Sequence, residues 1–515
     1  MWGVRFGALG LSALSSFRRA CIFGMASSLG LATAGCFPEP RGGESSPEIR
    51  AIILISVDTL RADHLGLYGH HRFTSPVLDA FSAQGVVFDD ASATAPWTLP
   101  SHASMLTGLF PLGHGVTDAE TALSEEVDTL ASWFGEAGWE TAAVVNAIWL
   151  KRENYGLTRD FQKYLSVENP DYSRRAPSTW VTDQAIQWLK DQGERPLFLF
   201  VHYYDIHADY ASLPEYERLL VSPYGGLADG SAWQIEKVNF AEEHIAHCLR
   251  DFDADICQFG SSEKPLRIDA NMQRVVLGSN DIEHLEELYD AGIRQLDTEI
   301  GRLLGFLDET SRSDDSLVVI TSDHGEEFME HGRLGHFLTT HQESLRVPML
   351  MRGPGVPAAQ RVAIPVSLVD LAPTLLALGS LELPTGVDGL DLSRLWSDRE
   401  SDSFENRYLY GEASGGLGRS QSLPGVYPLF SSVRQGRFKL VRRSLGSQID
   451  YELFDLANDP DEQRDIAHQE KDRFAALVTE LERRHRIPPE AGPKGAEVEL
   501  EASEIDQLRA LGYVP

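Results

Sequence analysis

Apolar runs alternate with amphipathic segments through the first two thirds of the chain. Four runs have the length and composition of strands that are buried on both faces: Ala51–Val57, Thr141–Val145, Leu197–His202 and Leu317–Thr321. Between them, apolar positions recur at helical spacing over Thr179–Lys190 and His284–Leu304. This alternation predicts an α/β fold with a central, mostly parallel sheet and helices on both of its faces.

The pattern changes near residue 405. Short alternating runs at Arg407–Gly411, Ser431–Arg442 and Tyr451–Asp455 predict antiparallel strands, and Lys471–His485 predicts a helix. We therefore expect a main domain over residues 51–400 and a smaller C-terminal α+β subdomain over residues 401–486. Residues 487–515 form an acidic tail, and the charged segment 211–280 is predicted to be an insertion in the main domain.

The first 36 residues have the features of an export signal. Arginines precede an apolar run that is too short to span a bilayer. Thr33-Ala34-Gly35-Cys36 resembles a bacterial lipobox, in which Cys36 is lipidated and becomes the mature N-terminus. The alternatives are a twin-arginine signal at Arg18-Arg19 and an ordinary cleaved signal with an incidental Cys36. The sequence therefore predicts a periplasmic or cell-surface protein with a lipid anchor, joined to the fold by a polar tether over residues 37–50.

The net charge limits which molecules the protein can bind, and the cysteine content limits its possible disulfide bridges. A net charge of −32 argues against a nucleic-acid partner, because phosphate backbones would be repelled. It does not exclude a small anionic substrate, since a bound metal inverts the local potential. Beyond the leader, only Cys248 and Cys257 remain, and they either form a bridge or stay as free thiols.

Polar residues with metal-binding chemistry follow two of the predicted strands. Asp58 comes directly after the first strand, and Asp323-His324 follow the fourth. Ligands of open parallel sheets collect at the carboxyl ends of strands, so we expect these side chains to meet. Carboxylate and imidazole together suit zinc, manganese or a mixed site. Taken alone, Asp58 is equally compatible with a cap for the next helix.

Thr98 lies between these two segments. Pro100 suits the first turn of a helix and Gly108 can end it, which places Thr98 just before a helix N-terminus. The free N–H groups and the dipole of that terminus favour an anion. The Thr98 hydroxyl is then either a plain N-cap or a nucleophile beside a metal.

Several motifs together resemble the sulfatase family of the alkaline-phosphatase superfamily. The resemblance spans nearly the whole mature chain in the family's order, over the segments Val57–Asp63, Thr98–Gly108, Pro111–Val116, His202–His207, Thr321–Glu326, Glu343–Pro348, Tyr451–Leu456 and Leu511–Val514. It implies the family's fold, in agreement with the sheet predicted above. It also implies an esterase-type metal site.

The resemblance assigns roles by position. It implies that Asp58, Asp323 and His324 bind the metal and that Thr98 is the nucleophile in contact with it. His102 replaces an arginine that supports the nucleophile, and His336 falls where many members have an anion-binding lysine. His114 and His207 match histidines that contact the ester or its leaving oxygen. For each histidine the alternative is an imidazole satisfied by the surrounding protein.

The metal and the reaction remain open at this stage. One divalent ion (zinc, manganese or calcium) is expected, and the surplus histidines His331, His336 and His341 leave room for a second. The family's motif is Cys/Ser-x-Pro-Ser-Arg, whose first residue becomes formylglycine, whereas this chain has Thr98-Leu99-Pro100-Ser101-His102. Oxidation of a secondary alcohol gives a ketone, so the modified nucleophile should not form.

A threonine nucleophile changes the expected ester. A formylglycine hydrate expels sulfate by elimination, whereas a threonine sulfate needs a second attack at sulfur. A threonine phosphate can be opened by water or by an acceptor alcohol. The sequence thus predicts a metal-dependent hydrolase or transferase of phosphate or sulfate esters, with phosphoesters favoured, acting on a small-molecule, glycan or lipid ester. The alternatives are a sulfuric ester hydrolase of a sulfated glycan or aryl sulfate, and an inactive relative that binds anionic polymers.

Overall fold

A computed structural model describes residues 48–151, 155–167, 177–239, 256–259, 266–269, 275–396, 402–413, 429–445, 447–486, 493 and 495–498. The strands, in chain order, are β1 Ala51–Val57, β2 Val86–Ser92, β3 Glu140–Val145, β4 Lys163–Ser166, β5 Leu197–Tyr203, β6 Ile256–Phe259, β7 Leu266–Asp269, β8 Ser316–Ser322, β9 Glu327–Phe328, β10 Leu334–Gly335, β11 Arg346–Arg352, β12 Gln360–Val362, β13 Val366–Ser367, β14 Tyr408–Ala413, β15 Leu429–Gln435, β16 Phe438–Leu445 and β17 Gln448–Asp455. The α-helices are Pro76–Ser82, Thr98–Thr107, Pro111–His114, Leu130–Glu136, Ile148–Lys151, Pro177–Asp191, Pro214–Leu220, Ala232–Asn239, Ser279–Glu309, Gln342–Leu345, Leu371–Leu378, Asp402–Glu405 and Lys471–His485.

The central sheet has the predicted α/β architecture. Its strand order is β12-β2-β11-β8-β1-β5-β3-β4, with β13 also paired to β2. All of its pairings are parallel except those of β11, which runs antiparallel to both β2 and β8. The prediction of a mostly parallel sheet is therefore confirmed.

The strands of the sheet centre are apolar because both of their faces are covered. Every residue of β1, β5 and β8 is buried. On one face, the helix Ser279–Glu309 packs through Leu285, Leu296, Ile300 and Leu303. On the other face, Leu99 and Met105 of the helix Thr98–Thr107 pack into a second apolar cluster. The two predicted amphipathic helices are thus present, and Ser279–Glu309 extends beyond both ends of its predicted range.

The C-terminal subdomain is an antiparallel sheet in the order β14-β15-β16-β17 with the helix Lys471–His485. The prediction of a single strand over Ser431–Arg442 is wrong, because the chain turns at Gly436. Gly436 has φ of 56°, a left-handed conformation that glycine adopts without a steric cost. The segment therefore forms the hairpin of β15 and β16.

Within the predicted insertion, the structure shows the helices Pro214–Leu220 and Ala232–Asn239 and the hairpin of β6 and β7. Among the described residues, no helix is both long and apolar enough to cross a membrane. The predicted leader with Cys36, residues 37–47 of the tether, Cys248 and most of the acidic tail lie outside the described residues.

Candidate active site and metal centre

Three neighbouring strands of the central sheet end at the same level. Val57 of β1 pairs with Tyr203 of β5 and with Ser322 of β8 in parallel register. Asp58 and Asp323 are the residues that follow β1 and β8, so the register sets them side by side. The carboxyl edge of the sheet centre is therefore where the predicted ligands meet.

Asp58, Asp323 and His324 form one compact, fully buried cluster. His324 Nε2 lies 3.5 Å from Asp58 Oδ1 and 3.4 Å from Asp323 Oδ2. All three side chains are 0% exposed. Their donor atoms lie within 4.8 Å of one another, which makes them a candidate metal-binding group.

Electrostatics make this cluster unfavourable without a cation. Burial and the charge of Glu326 raise the pKa of Asp58, and burial and the charge of Asp58 raise the pKa of Asp323. Burial also lowers the pKa of His324. Two adjacent carboxylates far from water therefore resist ionisation, and the neighbouring imidazole does not supply a compensating charge.

The donor atoms of the cluster fit a divalent cation. Three of these donor atoms are buried and form no hydrogen bond with any described residue: Asp58 Oδ1, Asp323 Oδ2 and His324 Nε2. His324 Nδ1 donates to the Gly325 carbonyl at 2.9 Å, so Nε2 carries the lone pair that a metal requires. Donors around a tetrahedral ion with bonds of about 2.1 Å lie about 3.4 Å apart, which matches the separations found here.

Thr98 is the first residue of the helix Thr98–Thr107. The N-cap residue is Trp97, whose side chain makes no capping hydrogen bond, so the interpretation of Thr98 as a plain N-cap is wrong. The Thr98 hydroxyl instead donates to Asp58 Oδ2 at 3.4 Å, a long contact for a hydrogen bond between oxygens. The helix ends at Gly108 in the left-handed conformation, as predicted.

His102 holds the backbone of Thr98. Its Nδ1 donates to the Thr98 carbonyl oxygen at 2.8 Å, and its Nε2 accepts from Ser56 Oγ at 2.9 Å. Nδ1 also lies 3.5 Å from Asp323 Oδ2. Burial and His202 lower the pKa of His102, so the ring is neutral, unlike the arginine that the family resemblance implies at this position.

His207 and His336 lie together beside His324. The ring centroids of His336 and His324 are 4.6 Å apart, and those of His336 and His207 are 4.8 Å apart. His336 Nδ1 is 3.3 Å from Glu326 Oε1, and His207 Nδ1 donates to the Ala208 carbonyl at 2.7 Å. Burial lowers the pKa of both histidines to about 3. His336 is therefore a neutral group where the resemblance implies a cationic lysine.

His114 is held by groups away from the cluster. Its Nδ1 accepts from the Val116 N–H at 3.1 Å, and its Nε2 bonds with Ser104 Oγ at 3.0 Å. Both ring nitrogens are thus engaged by protein, next to the helix that carries Thr98. The predicted contact between His114 and the ester stays a prediction.

The loop that carries Asp323 and His324 is fixed by close backbone packing. Gly325 N donates to the Ser344 carbonyl at 2.8 Å, and Glu326 N donates to the Glu343 carbonyl at 3.0 Å. A Cβ atom added at Gly325 would lie 2.0 Å from the Glu343 carbonyl oxygen. Only glycine lets the two segments approach this closely.

The structure also brings His202 to the site, which the sequence prediction missed. His202 is the second-to-last residue of β5 and is 0% exposed. Its Nε2 lies 3.4 Å from Asp58 Oδ2. The available signal was a single histidine inside an otherwise apolar strand. Asn146 follows β3 at the same edge of the sheet, and neither polar atom of its buried amide has a hydrogen-bond partner among the described residues.

Comparison with protein families gives two matches. The family model described as Sulfatase matches residues 50–381. The model described as N-sulphoglucosamine sulphohydrolase, C-terminal, matches residues 330–486, a range that contains the small antiparallel sheet.

Curated proteins and solved structures agree with these matches. Arylsulfatase K of Mus musculus is 24% identical, over 84% of this chain and 79% of its own length. The ulvan-active sulfatase of Formosa agariphila is 26% identical, over 85% of this chain and 81% of its own length. A structure in complex with its substrate D-glucosamine-2-N,6-O-disulfate gives a TM-score of 0.65 at 18% identity, covering 87% of this chain and 100% of that one. The phosphonate monoester hydrolase of Agrobacterium radiobacter gives 0.64 at 20% identity, covering 85% and 95%.

Proposed function

This chain belongs to the sulfatase family, and we propose that it hydrolyses phosphorus esters by attack of Thr98, with one divalent cation in the active site. Asp58, Asp323 and His324 are the proposed ligands of that cation. The observation that carries the proposal is the Thr98 hydroxyl, which lies 3.4 Å from Asp58 Oδ2 at the start of a helix and caps nothing. Its position suits a nucleophile for an anionic ester.

The choice of ester follows from the chemistry of threonine. An adduct on Thr98 has a secondary carbon, so it has no geminal hydroxyl that could expel the anion by elimination. A phosphoryl or phosphonyl adduct can be released when water or an alcohol attacks phosphorus. The similar structure of a phosphonate monoester hydrolase supports the proposal to the extent that this fold carries phosphorus ester chemistry.

Different groups of the protein position the nucleophile and the ester. When bound, the cation supplies charge stabilisation at the reacting centre and lowers the pKa of the attacking hydroxyl. Asp58 Oδ2 accepts the hydrogen bond that orients the Thr98 hydroxyl, and His102 fixes the Thr98 carbonyl. The N–H groups at the start of the helix face the anion of the ester. In the proposed step, Thr98 Oγ1 bonds to phosphorus, its proton passes to Asp58 Oδ2, and the bond to the leaving oxygen breaks beside His207 and His336, whose rings adjoin His324.

A second candidate function is the hydrolysis of sulfate esters. The relatives favour it, since they include an arylsulfatase and an ulvan-active sulfatase. The sulfated glucosamine in a similar structure suggests a glycan substrate for that case. A third candidate is a protein that binds anionic polymers without turnover.

Activity assays on nitrophenyl sulfate, bis-nitrophenyl phosphate and a nitrophenyl phosphonate monoester separate these candidates. The purified protein is treated with a chelator and then supplied with zinc, manganese or calcium. Thr98→Ala should lower turnover on the order of 10³-fold or more. Thr107→Ala is the matched control, because Thr107 ends the same helix and bonds only to nearby backbone.

The outcomes point in different directions. Turnover of the phosphorus esters that requires Thr98 supports the proposal. Turnover of the sulfate alone, again requiring Thr98, establishes the second candidate in its place. Lack of any turnover in protein that binds no metal favours the binding role. The mass of the Thr98 peptide tests separately whether the residue is modified.

We also propose that the chain is exported and anchored through a lipid on Cys36, at the periplasmic membrane face or the cell surface. The support is the leader and its Thr33-Ala34-Gly35-Cys36 segment. Expression of the full chain in a Gram-negative host with labelled palmitate should give a labelled membrane-bound protein. Cys36→Ala should abolish the label, and label that persists in this variant refutes the anchor.

A further inference from the structure

His202 stands out among the buried polar residues of the central sheet. It belongs to β5, whose seven residues are all buried, and it pairs in register with Ser56 of β1. Its neighbours in the strand, Val201 and Tyr203, are completely shielded from water as well. A histidine in such a position needs hydrogen-bond partners or another compensating interaction.

Within the part of the chain that the structure describes, neither ring nitrogen of His202 has a hydrogen-bond partner. A buried polar group without a partner has lost its hydrogen bonds to water and gained none in return, which is unfavourable. The oxygen near it is Asp58 Oδ2, 3.4 Å from Nε2, but this contact does not have the geometry of a hydrogen bond. His202 Nε2 and Asp58 Oδ2 are therefore close but do not point at each other. Two ligand atoms have this arrangement when both point at the same metal ion.

The proposed metal ligands Asp58, Asp323 and His324 also make close contacts that are not hydrogen bonds. His324 Nε2 is 3.5 Å from Asp58 Oδ1 and 3.4 Å from Asp323 Oδ2, again without a hydrogen bond. Thr98 Oγ1 is 3.4 Å from Asp58 Oδ2, the oxygen that His202 also approaches. His202 also belongs to a second group of possible ligand atoms, with His102 and Asp323, which shares only Asp323 with the group of Asp58, Asp323 and His324. The contacts of 3.4–3.5 Å at Asp58 and Asp323 match the spacing of donors that share one ion.

The adjacent His102 shows what a structural histidine looks like in this core. The two rings are 5.0 Å apart and equally buried. His102 bonds through both nitrogens, to the Thr98 carbonyl and to Ser56 Oγ. His202 has neither kind of bond, so packing alone does not account for its imidazole.

We propose that His202 Nε2 is a further ligand of the active-site cation, on the side of Asp58 that faces Thr98. This inference rests on the metal site of the proposed function. The protein donors then comprise two imidazoles and two carboxylates besides the Thr98 hydroxyl. That set favours zinc or manganese over calcium, which takes oxygen ligands.

The first test is the affinity of chelator-treated protein for zinc, measured by competition with a coloured chelator. His202→Phe removes the donor and keeps an aromatic ring, and it should weaken zinc binding about 100-fold or more. His324→Ala reports on the site of the proposed function. Tyr203→Phe is the matched control, since Tyr203 is the next residue of the strand and its hydroxyl bonds to Thr182.

The melting temperature separates a ligand from a packing residue. Loss of a ligand should reduce the rise in melting temperature that zinc gives to the wild type and change the metal-free protein little. A loss of stability confined to the metal-free protein contradicts the proposal. X-ray absorption of zinc bound to the wild type needs no variant, and it should show two imidazole ligands.

The results distinguish the two proposals. Unchanged zinc affinity in His202→Phe together with lost affinity in His324→Ala overturns the role of His202 and leaves the metal site standing. An absorption spectrum that shows a single imidazole ligand also overturns the role of His202 and leaves the metal site standing. A wild-type protein that binds no divalent metal overturns the proposed function as well.

Discussion

Substitution of Gly325 tests whether the backbone contact beneath the ligand loop sets the geometry of the metal site. In Gly325→Ala the new Cβ atom would start 2.0 Å from the Glu343 carbonyl oxygen, and ordinary contact begins at 3.4 Å. The two segments must therefore separate by more than 1 Å. Gly325 directly follows His324, so the shift reaches both ligands of this loop.

Gly325→Ala should have a large effect on catalytic rate and zinc affinity and a moderate effect on the free energy of unfolding. A misplacement of about 1 Å at a catalytic centre costs about 100-fold in rate, and we expect a similar loss of zinc affinity. Overpacking of this kind costs about 1–3 kcal/mol of unfolding free energy. The assays are chelator competition for zinc and thermal unfolding of metal-free protein.

Gly305→Ala is the matched control for this substitution. Gly305 lies in the helix Ser279–Glu309, and a Cβ atom added there meets no other atom within 4 Å. Alanine should stabilise that helix by up to about 1 kcal/mol and leave zinc binding unchanged. The reasoning is refuted if Gly325→Ala binds zinc as tightly as the wild type at an unchanged melting temperature.

Three further predictions concern stability. Lys439 Nζ lies 2.8 Å from Glu462 Oε1, and both side chains are buried. Lys439→Met should therefore lower the unfolding free energy, measured by chemical denaturation, by about 3–5 kcal/mol, and adding Glu462→Leu should recover most of that loss. A Lys439→Met variant as stable as the wild type would contradict this prediction. Although burial favours the neutral ring, the hydrogen bond and charge of Glu343 raise the pKa of His331 from 6.5 to about 9. The stability that wild type has over His331→Gln should therefore be complete below pH 6.5 and disappear as the pH rises through 9, and a difference that is constant from pH 6 to 10 would refute it. Chelation should lower the melting temperature of the wild type, and zinc or manganese should restore it; an unchanged temperature argues against a metal site.

Much of the fold was predictable because its central strands are apolar on both faces. β1 was predicted at its observed bounds, and β3, β5 and β8 each extend the prediction by one residue at one or both ends. The antiparallel hairpin at Gly436 was missed although residues 434–437, which carry no apolar side chain, interrupt the alternation there. Within the insertion, the helix Pro214–Leu220 has no buried residue, so no apolar period marks it.

The site was predictable to the extent that strand ends identify it. Asp58, Asp323 and His324 lie together because their strands end in register, and a sequence shows those ends as transitions from apolar to polar residues. His202 precedes such a transition and is hidden within the strand. The contact of His102 with Ser56 was beyond prediction, because these two residues are far apart in sequence.

β1, β5 and β8 end at the same level, and this shared edge indicates which parts of the protein can vary in sequence without moving the active site. Backbone hydrogen bonds of the sheet centre set these ends, so amide hydrogens there should exchange only in large-scale unfolding. Residues 211–239 follow this edge outside the sheet and carry the helices Pro214–Leu220 and Ala232–Asn239. Loop exchange between related proteins should therefore alter substrate choice while the reactive groups keep their positions.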